Sequence, residues 1–128
     1  MHHNEPIRFA ALSATLLFAA TLLCGCTWRL KDAPPAGIDY YSYLGSVQCT
    51  GGGKSVTELE QELIVAGITV YEIGCGTDGK LYTSVCGAPD GRIGIFNIDP
   101  AKAKSAAALG LAPLDSLPHA VKTPCDVR

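Results

Sequence analysis

Residues 9–23 limit this chain more than any other stretch, because they are apolar almost throughout and end abruptly. A run of roughly fifteen residues falls short of the about twenty that a comfortable membrane span needs. Arg8 precedes it as a thin positive segment, with Glu5 nearby, and Leu23-Cys24-Gly25-Cys26 closes it. Positive segment, short apolar run and small-residue boundary succeed one another as in a secretory leader. On that reading the run is removed, and the fold must be built from the residues C-terminal to it.

The closing four residues resemble the lipobox of bacterial lipoproteins, with Leu23 at −3, Gly25 at −1 and then the cysteine that receives a diacylglyceryl group. The resemblance implies that residues 1–25 are a cleaved signal peptide and that lipidated Cys26 begins the mature chain. It implies a bacterial cell envelope and attachment to the membrane through the lipid on Cys26. Thr27 is not the Asp that retains such proteins in the inner membrane, so the implied destination is the outer membrane, facing the periplasm. Two positions depart from the pattern: the leader has no Lys before its apolar run, and Cys24 stands at −2. An uncleaved anchor helix is the alternative.

Residues 26–39 read as a lipid-anchored tether. Asp32-Ala33-Pro34-Pro35-Ala36-Gly37 suits neither a helix interior nor a central strand, and its prolines stiffen the chain toward an extended form. Trp28 would suit the membrane–water interface. Residues 40–128 remain, enough for a single small periplasmic domain. The formal net charge is −2, which offers no footprint for nucleic acid. Of the six cysteines, Cys49, Cys75, Cys86 and Cys125 are left once Cys24 is removed and Cys26 acylated. An even number in an oxidising compartment reads as two disulfides, and no C-x-x-C pair suggests a zinc or redox centre.

Tyr40-Tyr41-Ser42-Tyr43 opens the domain as a short strand or extended edge. Tyr40, Tyr41 and Tyr43 either pack the tether against the domain or form a recognition patch, since tyrosine suits a surface dry on one side and wet on the other. Gly51-Gly52-Gly53-Lys54-Ser55 resembles a phosphate loop but has Gln48 where the Walker pattern needs Gly, so it reads as a turn leading into a helix cap. Ser55-Val56-Thr57-Glu58 is a capping box. Val56, Leu59, Leu63 and Ala66 form the buried stripe of the helix it starts, and Gly67 ends it. Glu58, Glu60 and Glu62 read as solvated carboxylates near the positive helix end.

The period then changes to strand. Residues 68–75, 81–86 and 92–98 are β-branched and aromatic, and Asp78-Gly79 between the first two predicts a type I′ hairpin. Apolar residues on both faces of 93–98 place the last strand centrally. Asp99-Pro100 starts a second, alanine-rich helix that Gly110 stops. The predicted fold is α+β: a three-stranded antiparallel meander with two helices on one face, in the order helix-strand-strand-strand-helix. The alternative, if residues 41–48 form a paired strand, is a ferredoxin-like βαββαβ arrangement. In the meander, Cys75 and Cys86 lie on the order of 13 Å apart, beyond the ~7 Å limit for a bridge. Tracing the chain from end to end then predicts Cys49–Cys75 and Cys86–Cys125.

No nucleophile–base pair, metal motif or calcium loop appears, and the one histidine of the mature chain, His119, lies between prolines and other tail residues. No cofactor is expected. The function expected is non-enzymatic: a lipid-anchored envelope protein that binds a protein partner or supports an envelope assembly. The alternative is an inhibitor or immunity-type lipoprotein that blocks a toxic or lytic enzyme. A small-ligand carrier or an enzyme comes third.

Overall fold

The strand opened by the tyrosines exists and begins two residues early. In the computed structural model, which describes residues 36–125, Ile38–Tyr43 form β1. The expectations about the leader, the lipobox, Cys26, Thr27 and Trp28 lie outside the described residues. Alternation along β1 sends Ile38 and Tyr40 to one face and Asp39, Tyr41 and Tyr43 to the other. The glycine turn comes next, closed by reciprocal backbone bonds between Val47 and Gly51 and by Lys54 N–H donating to the Leu44 carbonyl.

Helix α1 (Val56–Val65) starts as its sequence dictates. Ser55 Oγ accepts from the Glu58 N–H, and the Glu58 carboxylate accepts from the Ser55 N–H at 2.7 Å. Leu63 is buried, Val56 and Leu59 pack beside it, and Gly67 at φ 77° ends the helix. Ala66, predicted for the stripe, is instead the exposed C-cap. Strand β2 (Val70–Thr77) carries an irregularity between Val70 and Glu72, and β3 (Arg92–Ile98) lies between β1 and β2, antiparallel to both.

Both faces of β3 are covered. Phe96 and Ile98 face Leu63, Ile68, Ala106 and Leu111, whereas Ile93 and Ile95 are buried on the opposite side. Full burial of one such side chain contributes about 1.5–3 kcal/mol. Asp99 caps the next turn, with Pro100 at its first position. Helix α2 (Ala103–Ala108) comes after it and buries only Ala106. Strand β4 (Ala112–Pro113) pairs with β1, and β5 (Val121–Thr123) pairs with β2. The strand order is β4-β1-β3-β2-β5.

The fold is therefore α+β with an antiparallel sheet, two helices and two disulfides, but the sheet has five strands rather than the three of the meander. Residues 81–86 form no strand. Strands β2 and β3 pair directly, and Asp78 N–H donates to the Gly91 carbonyl at 2.9 Å across the neck of the loop between them. The type I′ turn is absent: Gly79 has φ 73°, but Asp78 is not in the left-handed region. The reason is chemical. The Asp78 carboxylate bonds forward to the Lys80 N–H and to the Tyr82 hydroxyl, an Asx-type turn that draws the chain off the sheet.

The disulfide pairing differs for the same reason. The bridges are Cys49–Cys86 and Cys75–Cys125, each with Cα atoms 5.1 Å apart. With residues 81–86 off the sheet, Cys86 folds back onto the glycine turn, where Gly87 N–H donates to the Gln48 carbonyl. The tail supplies β5, whose Thr123 lies opposite Cys75, so Cys125 arrives beside it. Cys75 and Cys86 are not joined to each other, but the hairpin register behind that expectation does not form.

Candidate interaction surface

The face of the sheet away from the helices carries the polar constellation of this domain. Its rows run Asp39–Asn97–Glu72, Tyr41–Ile95–Gly74 and Tyr43–Ile93–Gly76–Lys122. The predicted tyrosine patch divides here. Tyr40 is buried in the helix-side core, whereas Tyr41 and Tyr43 stand on this face with their rings edge-to-face at 5.6 Å. Lys80 lies 5.8 Å from the Tyr43 ring centre.

Asp78, beside this face, is 2 % exposed and organises the loop after β2. Its Oδ2 accepts from the Tyr82 hydroxyl at 2.6 Å and the Tyr43 hydroxyl at 3.0 Å, and its Oδ1 accepts from the Lys80 N–H at 3.0 Å. The Lys80 ammonium stands 3.8 Å from the same carboxylate. Burial opposes ionisation of Asp78, but the bonds from Tyr82, the Lys80 backbone and Tyr43 outweigh it and hold the pKa below the usual carboxylate value. The bond to Asp78 pushes the Tyr82 hydroxyl up to about 12, so at neutral pH it stays a donor. With three hydrogen bonds converging on it, this carboxylate is suited to holding a loop in place.

The loop's far end is tied as firmly. Gln48 donates from its side chain to the Thr83 carbonyl at 2.8 Å, and Gln48 N–H bonds the Ala88 carbonyl. Ser46 Oγ donates to Asp90, and Cys49–Cys86 closes the junction. Between these anchors Leu81 is fully exposed and Val85 largely so. At the sheet's other corner, Asn97 donates to Asp39 at 2.6 Å and Lys122 reaches it at 3.0 Å. That path is open because Gly74 and Gly76 place no side chain on this face of β2. The Asn97 bond is the chief cause of the lowered Asp39 pKa, with Lys122 adding to it against the opposing effect of burial.

The depression beside this pair, bounded by Glu72, Ile73, Gly74, Ile95 and Lys122, measures about 140 Å³. Small-molecule sites usually begin near about 300 Å³. The glycine turn meets α1 with the Ser55 and Glu58 N–H groups answered by each other's side chains, while Lys54 pairs with Glu62 at 2.6 Å. That arrangement fits the cap reading of Gly51-Gly52-Gly53-Lys54-Ser55. His119 is exposed, and its carbonyl passes so close to Gly79 that a β-carbon there would collide with it.

Sequence reasoning missed Asp78, Tyr82 and Leu81 as one unit. The available signal was Asp78 two residues before the Lys80 N–H, the spacing of an Asx turn, which competes with the hairpin signal of Asp78-Gly79. Tyr43 joins them only through the sheet. Among the described residues no cluster of His, Cys, Asp and Glu could hold a metal ion, and no helix is long and apolar enough to cross a membrane. Searches against family models, curated proteins and solved structures find no match to this chain.

Proposed function

We propose that this protein is a non-enzymatic lipoprotein of a bacterial envelope, anchored through Cys26, whose domain binds a protein partner or supports an envelope assembly. The observation that carries the reading is the cysteine arrangement. The four described cysteines pair with one another, so none of them takes Cys26 as its partner, and the lipobox cysteine is left for acylation. Two disulfides also suit an oxidising compartment. The element order β1-α1-β2-β3-α2-β4, with β1 and β2 both antiparallel to an intervening β3, supports a ferredoxin-like core extended by β5. Folds of this kind host many functions, so the argument for binding rests on the rigid, partly apolar surface rather than on the topology.

Metabolic labelling with a fatty acid tests the anchor. The natural chain should take up label, and Cys26→Ser should remain an unlabelled, unprocessed precursor. Label retained on Cys26→Ser would remove the lipoprotein reading.

A further inference from the structure

The loop after β2 combines features that scattered surface residues lack. Leu81 is fully exposed, yet both chain neighbours are fixed: the Lys80 N–H and the Tyr82 hydroxyl bond the same buried carboxylate of Asp78. Beyond it, Gln48 holds the Thr83 carbonyl and Cys86 is bridged to Cys49. A leucine displayed on a tied loop loses little conformational freedom when it enters a pocket, so more of its burial appears as affinity. Tyr43, 43 % exposed and joined to both Asp78 and Lys80, adds an aromatic surface next to the lysine.

Charge specifies the other half of the contact. In the Lys80–Asp78 pair the lysine side chain is 58 % exposed and the aspartate 1 %. In the Lys122–Asp39 pair the figures are 67 % and 31 %. Each pair turns its cation outward and draws its anion in; at the Tyr43 end of this side the outward charge is the Lys80 ammonium, whereas the exposed Glu72 shares the Asp39–Asn97 row with the other pair.

We propose that Leu81, next to the Lys80 that Tyr43 and Asp78 hold, is the anchor of a protein–protein contact whose partner offers an apolar pocket rimmed by carboxylates. The proposal rests on the protein-binding reading above and names the surface that serves it. A pre-positioned aliphatic side chain next to an outward cation is matched by an apolar pocket whose rim carries the opposite charge. Two lysines are few for an anionic membrane, where each adds only about 1 kcal/mol.

The test is site-specific photocrosslinking of the full-length protein in the cells that produce it. A benzophenone amino acid replaces Leu81, whose exposure lets the fold tolerate it, or Lys104 on α2 as a control. The expected result is a protein adduct from position 81, several-fold stronger than from 104, whose mapped partner peptide places acidic residues around an apolar site. Lys80→Gln in the same background should lower the yield roughly tenfold, as loss of about 1.4 kcal/mol would. Unchanged thermal unfolding of that variant assigns the loss to the contact. A lipid adduct at 81, a partner peptide without carboxylates, or a yield indifferent to Lys80→Gln overturns the proposal. Protein adducts from 104 but not 81 overturn this surface and leave the protein-binding reading intact. No protein adduct from either position, nor from Glu60 on α1 or Ser116, overturns both.

Discussion

At the residue scale, Asp78 matters most to the loop. A buried carboxylate accepting from two tyrosine hydroxyls and a backbone N–H is worth keeping ionised, and removing it leaves those donors short of a partner. Hydrogen bonds to a charged group contribute on the order of 1.5–3 kcal/mol each to such an arrangement, and they are not additive. These bonds also set the sign of the pH dependence. Asp78 has a folded pKa below its unfolded value, so its contribution is full above the ordinary carboxylate range and is lost as pH falls through the lowered value. Tyr82 runs the other way: its contribution is full below the ordinary tyrosine pKa and is lost as pH climbs toward about 12. Absorbance titration of the tyrosines should therefore show a last-ionising group at about 12, beyond the also raised Tyr43 and Tyr71 and absent from the Tyr82→Phe variant. If Tyr82→Phe retains that late step, the Asp78–Tyr82 bond is not its cause.

At the scale of elements, α1 is the piece most fully specified by local chemistry. Its start is written by Ser55 and Glu58, its buried side by Val56, Leu59 and Leu63, and its end by Gly67. Ser55→Ala should lower stability by about 1 kcal/mol, read as a lower denaturant midpoint with an unchanged slope. Faster amide exchange in the first turn of α1, relative to β3, should accompany it. Helix α2 behaves differently. It buries a single alanine, so its place depends on the close approach that Ala106 permits, and lengthening that side chain to Leu should disturb the core. Strand β3 was legible as central, because only a strand covered on both sides carries Ile93, Ile95, Phe96 and Ile98 together.

At the scale of the whole molecule, the disulfides hold the pieces that the small core does not. Cys75–Cys125 fastens the tail to β2 across a separation of 50 residues, and Cys49–Cys86 joins two surface loops across 37. Loop-closure entropy gives each about 4 kcal/mol, an upper figure that native strain or residual structure reduces. The two differ in access: Cys49 and Cys86 are exposed, whereas Cys75 is buried. Graded reduction with a small thiol, quenched by alkylation, should label Cys49 and Cys86 first while the sheet persists. Earlier labelling of Cys75 and Cys125 would reverse this order of protection.

What the sequence determined by itself was whatever neighbours in the chain decide. That covers the capping box at Ser55, the stops at Gly67 and Gly110, the Asp99-Pro100 start and the strand character of 68–75, observed at 70–77, and of 92–98. It also covers the even cysteine count. Tertiary structure decided the rest. Residues 81–86 have the composition of a strand, but Asp78 binds Tyr82 and Tyr43 from outside any ladder, and β1 takes the second edge of β3. Residues 121–123 carry little strand signal, yet the outer edge of β2 supplies them with partners. The cysteine pairing changed with those two placements, because a disulfide joins what the sheet brings together, and strand partnership across 35 or more residues is settled by competition for edges that no local pattern records.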